Sequence, residues 1–158
     1  TGTEVLLKQL DEIKPQGTIL DVGCGWGPIA LSLALASPKA KIVAIDVNQK
    51  SLALTKINAE ALGLNNIEVC TPEVVKDSLM FDEIWSNPPI RVGKKVLHEI
   101  LATWLPRLKP GGSARLVVQK NLGSDSLQKW LENEFSVGFQ ISRIASIKGF
   151  RVLKVTRD

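Results

Sequence analysis

The 158-residue sequence has little material for metal or disulfide chemistry: two cysteines, Cys24 and Cys70, and one histidine, His98. That excludes a zinc cluster or a disulfide framework and leaves free thiols as the default. No apolar run approaches the ~18 residues that span a bilayer, and no signal-like start is present. The expectation is therefore a soluble, cytoplasmic protein with no membrane partner. The chain does not begin with methionine; we expect a single domain, residues 1–158, that lacks an N-terminal segment or domain. A chain of this length buries about two-thirds of its unfolded surface. Its 44% hydrophobic and 23% charged residues are ordinary for a globular fold.

Arginine is absent from residues 1–79, which carry seven lysines against nine acids. Residues 80–158 carry thirteen basic residues, six of them arginine, against seven acids. The plain reading is solvated surface. The alternative is a neutral-to-acidic half joined to a half that meets a polyanion.

What is present is organised around two stretches. In the first, a short apolar strand, Thr18 to Val22, runs into Gly23-Cys24-Gly25-Trp26-Gly27, with Pro28 where the first turn of a helix tolerates it. Glycines there let backbone approach a ligand, and the helix start is expected to present free N–H groups. A second strand, Ala40 to Ile45, ends on Asp46, placed to accept the hydroxyls of a ribose. The glycines fall G-x-G-x-G rather than in the dinucleotide pattern, and Asp21 precedes them. A carboxylate aimed at the turn repels a pyrophosphate and favours an ammonium or sulfonium, hence S-adenosylmethionine over NAD.

The second stretch is Ser86-Asn87-Pro88-Pro89-Ile90, closing the apolar run Phe81 to Trp85. Neither proline donates an N–H, and each holds the preceding residue extended. The Pro88 carbonyl and the Asn87 carboxamide are thereby free to bind a flat group bearing an amine.

With Val117-Val118-Gln119-Lys120 and Lys148-Gly149-Phe150-Arg151-Val152-Leu153-Lys154, these motifs resemble class I S-adenosylmethionine-dependent methyltransferases. They are most similar to the small methyltransferase domain of ribosomal RNA guanine-N2 methyltransferases. The resemblance implies an α/β fold: a doubly wound, mostly parallel seven-stranded sheet with a C-terminal antiparallel hairpin. It implies S-adenosylmethionine held by Asp21, Gly23, Cys24, Gly25, Trp26, Gly27, Asp46, Val47, Thr71, Pro72 and Asn87, with Thr71, Pro72 or Glu73 near the adenine. The acceptor ledge is Asn87, Pro88, Pro89 and Ile90, and no metal is needed. Ile90 departs from the aromatic residue of many adenine-N6 relatives, which favours guanine.

Local signals predict helices over Glu4 to Ile13 (capped by Thr3), Ser51 to Leu62, the segment before Leu108, and Ser124 to Phe135. Further strands are predicted at Ile67 to Cys70, Ser113 to Val118, Gly138 to Ile147 and Phe150 to Thr156. In such a fold Arg91, Lys94, Lys95, Lys120, Lys148 and Arg151 fall on the rim where parallel strands end, and RNA, ribosomal in origin, becomes the expected partner of a monomer. Arg107 and Lys109 fall at the opposite end. His98 is read as a surface helix residue, Trp85, Trp104 and Trp130 as core. A protein glutamine acceptor and a non-catalytic RNA-contacting module are the alternatives.

Overall fold

The computed structural model describes residues 1–158, the side chain of Ile90 excepted. Seven strands form one sheet: β1 (Gln16–Val22), β2 (Lys39–Ile45), β3 (Ile67–Cys70), β4 (Phe81–Ser86), β5 (Leu108–Gln119), β6 (Phe139–Ile147) and β7 (Phe150–Arg157). Their spatial order is β3-β2-β1-β4-β5-β7-β6. The first five strands are parallel, and β7 runs antiparallel to both β5 and β6. The doubly wound sheet with its terminal hairpin is as the sequence implies.

Period-two alternation sorts the strand residues onto two faces. Ile19, Ile42, Ala44, Trp85, Val117 and Val152 pack with α1 (Gly2–Leu7), α2 (Pro28–Ala36) and α3 (Gln49–Ala61). Leu20, Val43, Ile84 and Leu116 pack on the other face with α4 (Lys94–Trp104) and α5 (Ser124–Glu134). Chain order reverses between β1 and β4, so a crevice opens beyond the ends of these two strands.

Several boundaries differ from the sequence expectation. The first helix starts at Gly2, because Thr1 and Glu4 form a reciprocal capping box; Thr3 is thus not its cap. It stops at Leu7, and a separate tight turn spans Leu10–Glu12. Helix α4 stops at Trp104, since Pro106 lacks the N–H that the next turn needs. β5 begins at Leu108, pairing with Phe81, so Pro110-Gly111-Gly112 lies within the strand as an irregularity rather than before it. Gly112 is required there: a Cβ would stand 2.8 Å from the Asp82 carbonyl oxygen.

Buried charge ties the N-terminal segment to the sheet. Arg115, 3% exposed, bonds Glu83 Oε1 at 3.3 Å and Glu12 Oε2 at 2.7 Å, with its guanidinium over the Trp85 ring. This arginine is structural, not part of a polyanion surface. Arg107 donates to the Leu79 and Lys76 carbonyls and covers Phe81 and Trp104. His98 is half-buried, its ring stacked on Trp130 at 4.0 Å between centroids. No helix among the described residues is long and apolar enough to cross a membrane.

Candidate functional site

Parallel pairing brings the two sequence motifs to one rim. Asp21 on β1 is in register with Trp85 on β4, two residues before Asn87. The Ser86 hydroxyl donates to the Val22 carbonyl at 2.7 Å and locks the two strand ends together. A Cβ on Gly23 would lie 3.8 Å from Pro89 Cδ, so the glycine turn and the proline ledge abut.

The glycine turn is not an anion cradle. The N–H groups of Gly23 and Cys24 both donate to the Ile45 carbonyl at 2.9 Å, and that of Gly27 donates to the Cys24 carbonyl at 3.0 Å. The Gly25 N–H donates to Asp46 Oδ2 at 2.9 Å. The N–H groups of Gly23, Cys24, Gly25 and Gly27 are thus engaged before the helix begins at Pro28. Gly25 has φ +58° and nothing within 4 Å of where its Cβ would stand, so backbone there faces open space. Asp46 accepts one N–H on each oxygen, from Gly25 and from Asn48, and keeps a second lone pair on each.

Asp21 is fully buried, and neither of its oxygens has a hydrogen-bond partner among the described residues. Burial pushes its carboxyl up to about 7; the nearby Ala30 N–H pulls the other way, and Asp46 adds to the rise. A charge left buried without a partner costs several kcal/mol. The site therefore holds either a proton or a nearby cation. Cys24 turns its side chain inward toward Thr55, 4.0 Å away, and burial pushes its thiol up to about 12. It contributes backbone, not a reactive sulfur.

Two hollows lie on either side of Pro89. The first, about 350 Å³, has walls of Val47, Pro72, Pro89, Val92 and Val96, with Asp46 at its edge. Its lining is mostly apolar, and Val47, Val92 and Val96 are exposed. Thr71 sits beside it as the residue before Pro72, whereas Glu73 is exposed. Trp26 is 58% exposed, with its carbonyl held by Asn58. The second hollow, about 420 Å³, is lined by Asn87, Pro88, Pro89, Arg91, Gln119, Leu122 and Phe150. Here Asn87 Nδ2 donates to the Thr3 hydroxyl at 3.3 Å. Among the described residues no donor reaches Asn87 Oδ1 or the Pro88 carbonyl. A larger hollow, about 700 Å³, lies at the opposite rim between Lys41, Glu68 and Lys109, away from both motifs.

Arg91, Lys94, Lys95, Lys120 and Lys148 are exposed along the motif-bearing rim. The hairpin tip reaches it because β7 is antiparallel to β5, and the Lys120 N–H donates to the Gly149 carbonyl at 2.7 Å. Arg151 differs from the expectation: its guanidinium is ion-paired with Asp125 and 12% exposed, so it is not a free cation. The Ile90 side chain lies outside the described residues. Gln119, Leu122, Phe150 and Thr3 were not foreseen at the site. The parallel β4–β5 pairing brings the end of β5, with Gln119 and Leu122, beside Asn87, and the β5–β7 pairing sets Phe150 opposite Gln119.

The chain is similar to known proteins along nearly its full length. "Uncharacterized protein YbxB" of Bacillus subtilis (strain 168) is 36% identical over 99% of this chain and 78% of its own length. "Ribosomal RNA small subunit methyltransferase C" of Shewanella loihica is 32% identical over 83% of this chain, which spans only 39% of that relative. The Thermus thermophilus 16S rRNA N2 G1207 methyltransferase (RsmC), solved with AdoMet and guanosine, superposes with a TM-score of 0.81 at 26% identity. That match covers 99% of this chain and 43% of the neighbour. The model of the methyltransferase small domain matches residues 1–154, and the chain belongs to that family.

Proposed function

We propose that this chain transfers a methyl group from S-adenosylmethionine to the exocyclic N2 amine of a guanine in RNA, with small-subunit ribosomal RNA as the substrate class. The observation that carries it is the pair of hollows separated by Pro89, an apolar one beside Asp46 and a polar one bearing Asn87 and Pro88. Support comes from the Shewanella relative, named for ribosomal RNA methylation, and from the Thermus neighbour, titled as an N2 enzyme.

The residues fit the methyl donor. Val47, Pro72, Val92 and Val96 suit the faces of an adenine, and the spare lone pairs of Asp46 suit ribose hydroxyls. The unpartnered Asp21 carboxylate lies beneath the turn and favours a positively charged ligand there. S-adenosylmethionine, when bound, supplies a methyl group already activated on a sulfonium.

The chain's part is to prepare the acceptor. An exocyclic guanine amine is a poor nucleophile because its lone pair is delocalised into the ring. Asn87 Oδ1 and the Pro88 carbonyl accept its two hydrogens, which favours a pyramidal nitrogen whose lone pair faces the Pro89 side. Catalysis then rests on orientation and on dipoles set where positive charge develops. Orientation of this kind supplies up to ~7–11 kcal/mol. The carboxamide is no base, so the proton leaves to water. A base stacked in a duplex cannot reach the ledge, and the target is single-stranded or flipped out. Arg91, Lys94, Lys95, Lys120 and Lys148 meet the flanking phosphates.

The test is transfer of labelled methyl to total RNA and to total protein from cells lacking this gene, followed by nucleoside analysis. N2-methylguanosine is the expected product. Label confined to protein overturns the RNA reading, and N6-methyladenosine overturns the guanine assignment.

A further inference from the structure

The hollow beside Asn87 has walls that the methyl-transfer argument does not use. Gln119 ends β5 and Phe150 begins β7, and the two are direct antiparallel partners, so their side chains leave the same face of the sheet. Both line the hollow that contains Asn87, Pro88 and Pro89. The Phe150 ring is braced from behind: a Cβ on Gly2 would meet it at 3.2 Å and Asn87 Nδ2 at 3.3 Å. Glycine at position 2 lets α1 close against both residues and hold them. Gln119 is half-buried, and its carboxamide makes no hydrogen bond among the described residues.

We infer that Phe150 and Gln119 form the base-recognition wall of the acceptor hollow, Phe150 as the stacking surface and Gln119 as the reader of the ring edge beside the amine. The inference rests on the guanine reading above. Isoleucine at position 90 has no π face to give a base, whereas the phenylalanine of the far hairpin has one and is positioned beside the ledge. With the N2 amine held by Asn87 and Pro88, the neighbouring groups of guanine are the N1–H donor and the O6 acceptor. A carboxamide matches that pair with two hydrogen bonds, Oε1 accepting from N1–H and Nε2 donating to O6. It matches 2-aminopurine, which keeps the amine but lacks N1–H and O6, with at most one.

The test needs no turnover. The 158-residue chain, saturated with S-adenosylhomocysteine, is titrated with guanosine, 2-aminopurine riboside, adenosine and N-acetylglutamine amide while its NMR resonances are followed. Guanosine is expected to shift the Gln119 side-chain NH2 and to give intermolecular contacts to the Phe150 ring. Phe150→Leu should weaken guanosine about tenfold, as removing one stacking partner does, with S-adenosylhomocysteine affinity unchanged and Phe150→Tyr near wild type. Gln119→Leu should remove a three- to tenfold preference for guanosine over 2-aminopurine riboside, the worth of one hydrogen bond. Guanosine that leaves Phe150 and Gln119 unperturbed, or binds Phe150→Leu as tightly as wild type, overturns the inference. Perturbation of the same two residues by adenosine in preference to guanosine upholds the stacking wall but overturns the guanine reading. Perturbation by the glutamine amide alone overturns both.

Discussion

Gly23 and Pro89 stand wall to wall: a methyl group built on Gly23 would lie 3.8 Å from Pro89 Cδ, where the glycine turn meets the acceptor ledge. Gly23 also has φ +71°, a conformation that costs a side-chain-bearing residue about 1–2 kcal/mol. Gly23→Ala should therefore lower the stability of the fold by about that amount. Denaturant unfolding checks this, with unchanged stability the contrary result.

Asn87→Ala should lower methyl transfer by several orders of magnitude while leaving donor affinity within a few-fold, because the carboxamide acts on the acceptor amine. Single-turnover rates on RNA beside donor binding measure the two effects separately. An unaffected rate would remove Asn87 from the mechanism.

Asp21 makes both stability and donor binding depend on pH. Its folded carboxyl titrates near 7 against 3.8 for an ordinary one, so the folded chain holds the extra proton between those values. Unfolding free energy should fall as pH rises from about 4 to about 7, by on the order of 4 kcal/mol, and level off above. Asp21→Asn should abolish that slope. A cationic ligand favours the ionised form, so donor affinity should weaken as pH drops below 7 in wild type and not in the variant. Urea melts and titrations at pH 5 and 8 decide it; parallel slopes in the two proteins would count against an ionising Asp21.

The rim cations should separate by their partners. Lys94→Glu with Lys95→Glu should lower RNA affinity and reduce the salt dependence by about 0.7 in log–log slope for each phosphate no longer neutralised. Arg151→Gln should change that slope little, because its guanidinium is already neutralised by Asp125. Filter binding across a salt series measures both, and equal effects would contradict the assignment.

Arg115→Met should destabilise the fold by about 3–5 kcal/mol, since it leaves Glu83 buried without its cation. Replacing Arg115 and Glu83 together by apolar residues should recover much of that stability. Denaturant unfolding of the single and double variants tests the pair.

Much of the architecture was legible in the sequence because its signals are local. Glycine at 23, 25 and 27, Pro28 and the apolar runs each report the conformation of their own few residues, and the strand count and hairpin follow. Asn87 and Asp46 were legible because prolines and strand ends mark them. What could not be read depends on partners far along the chain. Nothing near Arg115 distinguishes a buried ion pair from one more member of a basic half until Glu12 and Glu83 are beside it. Arg151 carries a rim position in its spacing, yet Asp125 on α5 takes its charge. Phe150 and Gln119 stand in motifs that carry the resemblance, yet only the β4–β5 and β5–β7 pairings place them near Asn87. Thr3 resembles a helix cap in isolation; Thr1 takes that task and leaves the Thr3 hydroxyl to Asn87.

The close approach of Gly2 to Phe150 joins the first helix to the last strand. During synthesis the hollow beside Asp46, walled by residues 22–104, has all its lining residues well before the hollow beside Asn87 does. The hollow beside Asn87, which needs Phe150 of the last strand, is therefore the later of the two to be complete. Pairings of such sequence separation also form late and slowly in refolding. Refolding should thus complete the hollow beside Asp46 before the hollow beside Asn87.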